Sequence, residues 1–269
     1  MPDASVVYSA RPDTDSGPSQ NIWGNCNWAE LAAHPDQGIV FEDDFVGTLL
    51  ANNIAETNAG KWRAYSGATA GSDIINGSTT EVGGFVLVES TTDNEGVGLR
   101  SLPLFKIAQG QGKFWFECRL KQVNITDSKF SIFVGLFEEA TFEDDVPIDK
   151  DTDAMSDNNF VGFQRVFADG DKLDSTYKAN GVTQVTVGTD AVEVVADTYV
   201  KIGMYFDGAK LFFYKNGEKL ADSKTIPSAA GTDFPNDVNL GVAIALMLGH
   251  GDTASLTLDW IRAAQERVA

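Results

Sequence analysis

Residues 199–220 read Tyr-Val-Lys-Ile-Gly-Met-Tyr-Phe-Asp-Gly-Ala-Lys-Leu-Phe-Phe-Tyr-Lys-Asn-Gly-Glu-Lys-Leu, and this stretch decides the fold class. Its first half alternates apolar side chains with others, which is the period of a strand with one face in a core. Asp207-Gly208 and Asn216-Gly217 bracket a second apolar run, and such dipeptides favour tight hairpins because both turn residues adopt positive φ. The sequence therefore predicts a three-stranded antiparallel meander over residues 198–223.

Two segments nearer the middle of the chain have the same period. In residues 114–121 the even-numbered side chains are apolar, while Glu117 and the odd-numbered residues after it are charged, so one face lies in a core. In residues 130–137, Phe133 and Phe137 add apolar groups to the second face. This second segment is therefore predicted to be a strand covered on both sides.

The fold class follows from the number of such segments and from their connections. Residues 238–248 and 255–262 read as two long central strands, and no window after residue 38 has a convincing helical period. About a dozen strands joined by short turns, without crossover helices, form two antiparallel sheets packed face to face. We therefore predict a single all-β sandwich domain over residues 39–269.

Composition excludes several classes of partner. The chain has 269 residues, of which 43% are hydrophobic and 22% charged, an ordinary globular composition. Its apolar runs are far shorter than the ~18 residues that span a bilayer. Twenty Lys and Arg against 39 Asp and Glu leave a formal charge of -19, which repels phosphate backbones and anionic lipid. We expect neither nucleic acid nor a membrane as a partner.

Residues 1–38 differ from the rest of the chain. The stretch 10–19 is rich in Pro, Gly, Ser and Asp, and cannot bury enough surface to order itself. We predict an N-terminal arm that becomes partly ordered only on a partner. Because the first residues include no basic segment followed by an apolar one, we expect no secretory leader.

The arm contains two large apolar side chains, Trp23 and Trp28. Residues 28–33 fit a short helix capped by Asn27 and ended near Pro35. The two indoles either dock on their own domain or anchor a neighbouring subunit, in which case they are interface residues.

Cys26 and Cys118 are too few for a disulfide scaffold. Cys118 lies in an alternating strand pattern, where a cysteine acts as a small core hydrophobe. A bridge between the two is disfavoured, and the sequence alone leaves it open.

Several segments, taken in their order along the sequence, resemble a known family. Residues 199–203, 206–208 and 211–220 resemble the meander of concanavalin A-like jelly rolls of the laminin G and legume-lectin type, and residues 258–262 resemble their last strand, including that of the glucanase branch. More narrowly, the chain resembles structural proteins of tailed bacteriophages. The segments that carry this narrower likeness are the meander and residues 114–117, 133–136 and 260–267.

The resemblance implies a concanavalin A-like jelly roll in a virion structural protein, foremost a capsid cement or decoration subunit. The implied partners are other virion proteins such as the major capsid protein, and further copies of this chain. The alternatives are a carbohydrate-binding module or host-receptor adhesin, and more remotely a glucanase-like hydrolase. For glycan binding, Trp62, Tyr65, Trp115 and Tyr205 either stack on sugars or cover the second face of a sheet.

The glucanase branch of this fold carries Glu-x-Asp-x-x-Glu on one strand, so that alternation aims all three carboxylates into the cleft. That pattern is missing. Glu42-Asp43-Asp44 and Glu143-Asp144-Asp145 lack the final Glu, and Glu138 and Glu139 are adjacent, hence on opposite faces of a strand. Because glycoside hydrolysis needs two facing carboxylates, we expect no enzymatic activity and no catalytic residues.

Residues 138–157 contain nine acidic residues and one basic residue. Asp149, Asp151 and Asp153 alternate as the oxygen ligands of a Ca²⁺ loop do. The pattern then fails, because Ala154 stands where the sharp turn needs Gly and Phe160 where a bidentate Glu is required. We predict a solvated acidic loop and no cofactor, with Ca²⁺ as the weak alternative.

His34 and His250 are isolated in the sequence, and two histidines alone cannot build the usual zinc site. The Gly-rich stretch 67–72 lacks the Lys and the following helix of a phosphate loop. We therefore expect neither zinc nor nucleotide chemistry.

Overall fold

The structure is a computed structural model, and it describes most of the chain. The described residues are 16–45, 57–67, 74–77, 85–88, 95–126, 130–143, 145–149, 152, 154–230, 232–248 and 254–268.

Within these residues, two short helices precede sixteen strands. The helices are α1 (Gln20–Trp23) and α2 (Trp28–Ala33). The strands are β1 (Gly38–Asp43), β2 (Thr57–Ala59), β3 (Trp62–Ser66), β4 (Ile74–Gly77), β5 (Phe85–Val88), β6 (Gly96–Arg100), β7 (Phe114–Gln122), β8 (Phe130–Phe137), β9 (Phe160–Arg165), β10 (Lys172–Lys178), β11 (Val185–Glu193), β12 (Thr198–Phe206), β13 (Lys210–Lys215), β14 (Glu218–Thr225), β15 (Gly241–Leu248) and β16 (Ser255–Glu266). A single 3-10 turn, Phe167–Asp169, follows β9.

The strands form two sheets, and every strand pair between described residues is antiparallel. Sheet A has the order β14-β13-β12-β7-β16-β5-β4, with β1 also paired to β16. Sheet B has the order β11-β10-β9-β8-β15-β6-β3-β2. The predicted all-β sandwich of two antiparallel sheets is confirmed, and both long C-terminal strands lie in sheet interiors as expected.

One apolar cluster fills the space between the inner faces of the sheets. Phe116 of β7 and Ile202 of the neighbouring β12 both belong to it, and both are fully buried. Cys118 belongs to the same cluster, whereas Cys26 packs on the outer face of sheet A, and both thiols are free. Because the sheet separates the two cysteines, they cannot pair.

The predicted meander is β12, β13 and β14. Asn216 and Gly217 have φ values of 50° and 78°, as the hairpin signal requires. The other turn differs, because only Gly208 has positive φ there. Instead, the Asp207 carboxylate accepts hydrogen bonds from the backbone N–H groups of Ala209 (2.8 Å) and Lys210 (2.7 Å) and holds a longer loop.

Each sheet also has a second apolar face, and each is covered by a segment of the same chain. The helices α1 and α2 pack on the outer face of sheet A, and Ala140, Phe142, Val146, Ile148 and Met155 pack on the outer face of sheet B. No helix in the described part of the chain is long and apolar enough to cross a membrane.

The core assignment predicts the effect of two truncations. Phe116→Ala and Ile202→Ala each leave a cavity between the sheets, and we expect each to lower the free energy of unfolding by ~2 to 5 kcal/mol. Leu102→Ala is the control, because Leu102 is 52% exposed. Urea unfolding measures all three, and an unchanged midpoint for the core variants would contradict the register.

Candidate functional site

The outer face of sheet B is divided into a polar half and an apolar half. Alternation turns Gln164 of β9 and Asp174 of β10 outward, and the two residues are direct cross-strand partners. The Gln184 side chain, just before β11, donates a hydrogen bond to Gln164 Oε1 at 2.7 Å. A carboxyl group and two amides thus form a polar row across three strands, which we call the polar row.

The carboxyl group of the polar row has an altered acidity. Burial raises the pKa of Asp174, and the negative charge of Asp190 raises it further. The backbone N–H of Asp190 donates a 2.8 Å hydrogen bond to Asp174 Oδ1, which opposes the shift without cancelling it. Asp174 therefore holds its proton to a higher pH than a free aspartic acid does, as the acid of a proton-transfer pair must.

A bulge places the second carboxylate. The register between β10 and β11 shifts around Ser175, and Asp190 has a φ of 52°. Asp tolerates this left-handed conformation better than most residues. The bulge therefore brings Asp190 next to Asp174 from a neighbouring strand, an arrangement that a search for alternating carboxylates on one strand misses.

The apolar half of the face is closed. Phe142, Ile148 and Met155 pack onto Phe133 and Phe137 of β8 together with further residues of sheet B. The acidic side chains Glu139, Glu143 and Asp145 of this segment are exposed, as expected. The apolar side chains between them cover the second face of β8, which the sequence did not indicate. The same contacts confirm that β8 is covered on both sides, since all its residues are buried.

Glu138 closes the base of this covering segment. Its carboxylate accepts hydrogen bonds from Asn158 Nδ2 (2.6 Å) and from the backbone N–H (3.0 Å) and Nδ2 (2.7 Å) of Asn159. Glu139 instead lies 3.6 Å from Arg63, so the adjacent carboxylates have different partners. Both side chains are engaged in holding the segment.

A small cavity remains between residues 142–148 and the sheet. Its volume is about 10 Å³, and Tyr65, Glu143 and Met247 are among its lining residues. A cavity of this size holds about one water molecule, so it is too small for an oligosaccharide. An extended ligand on this face would have to lie over the polar row.

The four aromatic residues considered for sugar stacking cover faces of the sheets. Trp62 lies in the core between the sheets, and Tyr65 lies under the covering segment of sheet B. Trp115 is fully buried on the outer face of sheet A, and Tyr205 is half-buried beside it.

The calcium and histidine candidates are only partly within the described residues. Asp149 Oδ1 accepts hydrogen bonds from the backbone N–H and the hydroxyl of Thr152, each at 2.8 Å. Asp151, Asp153 and His250 lie outside the described residues, and His34 lies 3.6 Å from Glu30. The described residues include no group of three or more His, Cys, Asp or Glu side chains placed to hold a metal ion. The calcium alternative stays a prediction from the sequence.

The N-terminal residues 16–37, which we call the strap, lie across the outer face of sheet A. The strap places Trp23 and Trp28 on the chain's own sheet, in edge contact with each other at 5.5 Å between ring centroids. The predicted helix is α2, but Asn27 makes no side-chain capping hydrogen bond. The first fifteen residues of the predicted arm lie outside the described residues.

A buried carboxylate anchors the strap. Glu117 Oε2 accepts hydrogen bonds from the backbone N–H of Ser19 (2.9 Å) and from the indole N–H of Trp23 (2.8 Å). Burial raises the pKa of Glu117, although these hydrogen bonds and the charge of Lys201 act in the opposite direction.

No protein-family model matches the chain, and no curated protein matches it in sequence. Solved structures do match. The catalytic domain of a laminarinase, an endo-1,3-β-glucanase from Thermotoga petrophila, has 14% identity and a TM-score of 0.55, over 85% of this chain and 97% of its own. A GH16 protein of Bacteroides ovatus, solved with the product G4G4G3G, has 11% identity and a TM-score of 0.55, over 83% and 99%. A protein of unknown function from Shewanella oneidensis has 14% identity and a TM-score of 0.52, over 86% and 87%.

The fold is a concanavalin A-like jelly roll. The same comparison corrects the expectation that the chain is not an enzyme, because several of the matching folds are glycoside hydrolases. The missing Glu-x-Asp-x-x-Glu pattern excludes only one arrangement of carboxylates. On sheet B, the backbone N–H of Asp190 donates a hydrogen bond to Asp174 Oδ1 of the neighbouring strand. The resemblance to bacteriophage structural proteins stays a prediction.

The environment of Glu117 predicts how the strap depends on pH. Its folded pKa is raised above the ordinary value of 4.5, so docking is strongest at or below pH 4.5 and weakens as the pH rises through the raised value. Glu117→Gln keeps an acceptor without a charge, and we expect it to remove this pH dependence.

Glu117→Ala is the matched variant, since it leaves two buried N–H groups without an acceptor. We expect it to weaken docking by ~1 to 3 kcal/mol. Tryptophan fluorescence and limited proteolysis of the strap report docking, and equal docking in the Ala variant and the wild type would contradict the assignment.

Proposed function

We propose that this chain is a carbohydrate-active protein that binds a β-linked glucan along the polar row of sheet B. The observation that carries the proposal is the carboxyl group of raised pKa, Asp174, set beside the amides of Gln164 and Gln184 on one sheet face. Amides both donate and accept hydrogen bonds, as sugar hydroxyls do. Because the row crosses the strands, we expect an extended saccharide to lie across them.

The same row has the parts of an acid and base pair. Asp174, whose pKa is raised by burial, serves as the general acid for a leaving glycosidic oxygen, and Asp190 serves as the second carboxylate. A carboxyl group of raised pKa near a second carboxyl group is the environment in which such roles are assigned. The similarity in fold to a laminarinase and to a GH16 protein solved with an oligosaccharide supports a β-glucan as the ligand class.

Titration calorimetry with laminarin and mixed-linkage β-glucan oligosaccharides tests binding. We expect Gln184→Ala to lose about tenfold or more in affinity, since it removes hydrogen bonds to sugar hydroxyls. Gln164 is only 3% exposed, so Gln164→Ala acts through the Gln184 amide that it holds, and we expect it to weaken binding less. Glu218→Gln, an exposed change on sheet A, is the control. Unchanged affinity in the Gln variants, or no binding by the wild type, would remove the proposal.

Release of reducing ends from the same glucans tests the acid role. Asp174→Asn keeps an acceptor for the Asp190 N–H but cannot supply a proton, so we expect hydrolysis to fall by ~10² to 10⁴ while affinity changes little. Turnover that is insensitive to this substitution would exclude Asp174 as the acid.

A second candidate function is a virion structural role, as a capsid cement or decoration subunit in contact with the major capsid protein. It is favoured because the aromatic side chains considered for stacking are buried or half-buried by other parts of the chain. Mass spectrometry of purified particles tests it: presence in stoichiometric amount supports the role, and absence excludes it.

A further inference from the structure

We propose that the polar row is closed at one end, so that it binds the end of a glucan chain and rejects the middle of one. This inference rests on the proposed function and specifies which part of the polymer enters the site. It comes from the strand register, which continues the polar row across sheet B beneath the covering segment around Phe142.

The polar row is part of a longer line of cross-strand partners. Gln164, its residue on β9, lies directly opposite Phe133 on β8. From Phe133 the line continues over β15, β6 and β3 through Ala245, Gly98 and Tyr65. Residues directly opposite each other in antiparallel strands point to the same face of the sheet. The whole line therefore lies on the outer face of sheet B.

Beyond β9 this line is covered. Phe133 is fully buried, and Ala245 and Tyr65 are 3% and 7% exposed. The ring of Phe142 fills the place that a side chain at Gly98 would take, since a Cβ atom there would lie 2.5 Å from Phe142 Cδ2. A ligand that follows the line from the polar row thus meets buried surface from β8 onward.

The opposite end of the polar row is open. β11 is the edge strand on this side of sheet B, and Thr189 and Asp190 on it are exposed. Within the described residues, no further strand of sheet B lies beyond β11. A glucan chain can therefore enter across β11 and advance over β10 and β9 until it reaches the covering segment.

The distance to the closed end limits what the site can release. Neighbouring strands lie ~4.8 Å apart, so Asp174 on β10 is about 10 Å from β8, where the covered surface begins. Only a few sugar units fit between the proposed acid and the closed end. Cleavage beside Asp174 then releases short products of constant size from a chain end.

A closed row selects its ligand by exclusion. It admits a linear glucan with a free end and rejects a glucan of the same linkages without one, because the covering segment lies where the next sugar units would have to lie. The hydroxyl groups that the Gln184 amide can bind are the same in both ligands. A difference in affinity between them therefore reports the closed end.

Titration calorimetry with two probes tests this inference on the wild-type protein. One probe is a linear β-glucan oligosaccharide, and the other is a cyclic β-glucan of the same linkages, which has no chain end. We expect the cyclic probe to bind about tenfold or more weakly than the linear one. Cyclic glucan that binds as tightly as the linear probe would overturn this inference alone. Absence of binding by both probes would remove the proposed function, and this inference with it.

Two variants disturb the closed end from opposite sides. Phe142→Ala removes the ring, and Gly98→Ala adds a Cβ atom where the ring now lies. We expect each to bring the affinity for the cyclic probe to within about threefold of that for the linear probe. Phe212→Ala is the matched control, because it removes a ring from the outer face of sheet A.

Circular dichroism verifies that the variants are folded, and the comparison on the wild-type protein does not depend on them. The control should reject the cyclic probe as the wild type does. If Phe142→Ala and Gly98→Ala are folded and still reject it, the covering segment does not close the row, and the inference is overturned.

Discussion

A jelly roll built from two apolar-faced sheets must cover four faces, and packing the sheets on each other covers only two. In this chain the outer faces are themselves apolar in part, with Phe133 and Phe137 on sheet B and Trp115 on sheet A. Burying aromatic groups of this size is worth several kcal/mol. Segments outside the two sheets are therefore stabilised when they cover the remaining apolar faces. The strap covers the outer face of sheet A, and the segment around Phe142 covers the apolar part of the outer face of sheet B.

The two covers differ in how they are held. The strap is held by the buried carboxylate of Glu117, whose Oε2 accepts hydrogen bonds from two N–H groups. The cover of sheet B is held at its base by hydrogen bonds to Glu138 and packs on the sheet through a few apolar side chains. The apolar cluster under the cover of sheet B includes Phe160 at the start of β9 and no residue of β10 or β11. The polar row lies beyond this cluster, so the proposed glucan site lies next to the edge of the cover.

The sequence could predict what depends on local periodicity. The alternation around Phe116 and the Asn216-Gly217 dipeptide specify strands and a hairpin, and both are where they were expected. Alternation also indicated that β8 needs a cover on its second face. It could not indicate which distant segment supplies it, because that is decided by packing between residues far apart in sequence.

The proposed site escaped prediction for a related reason. Asp174 and Asp190 belong to different strands, and a bulge rather than simple alternation brings them together. A motif on one strand is visible in a sequence, whereas a pair formed across a bulged ladder is not. For the same reason, the absence of the one-strand motif was a poor guide to enzymatic activity.

The most direct test of the central claim is a crystal structure of the chain with a mixed-linkage β-glucan oligosaccharide. The account predicts density for the sugar over β9, β10 and β11, with hydroxyl groups within hydrogen-bond distance of Asp174 and Gln184. Sugar bound instead on sheet A, beside Tyr205 and Phe212, or at no defined place on the protein, would contradict it.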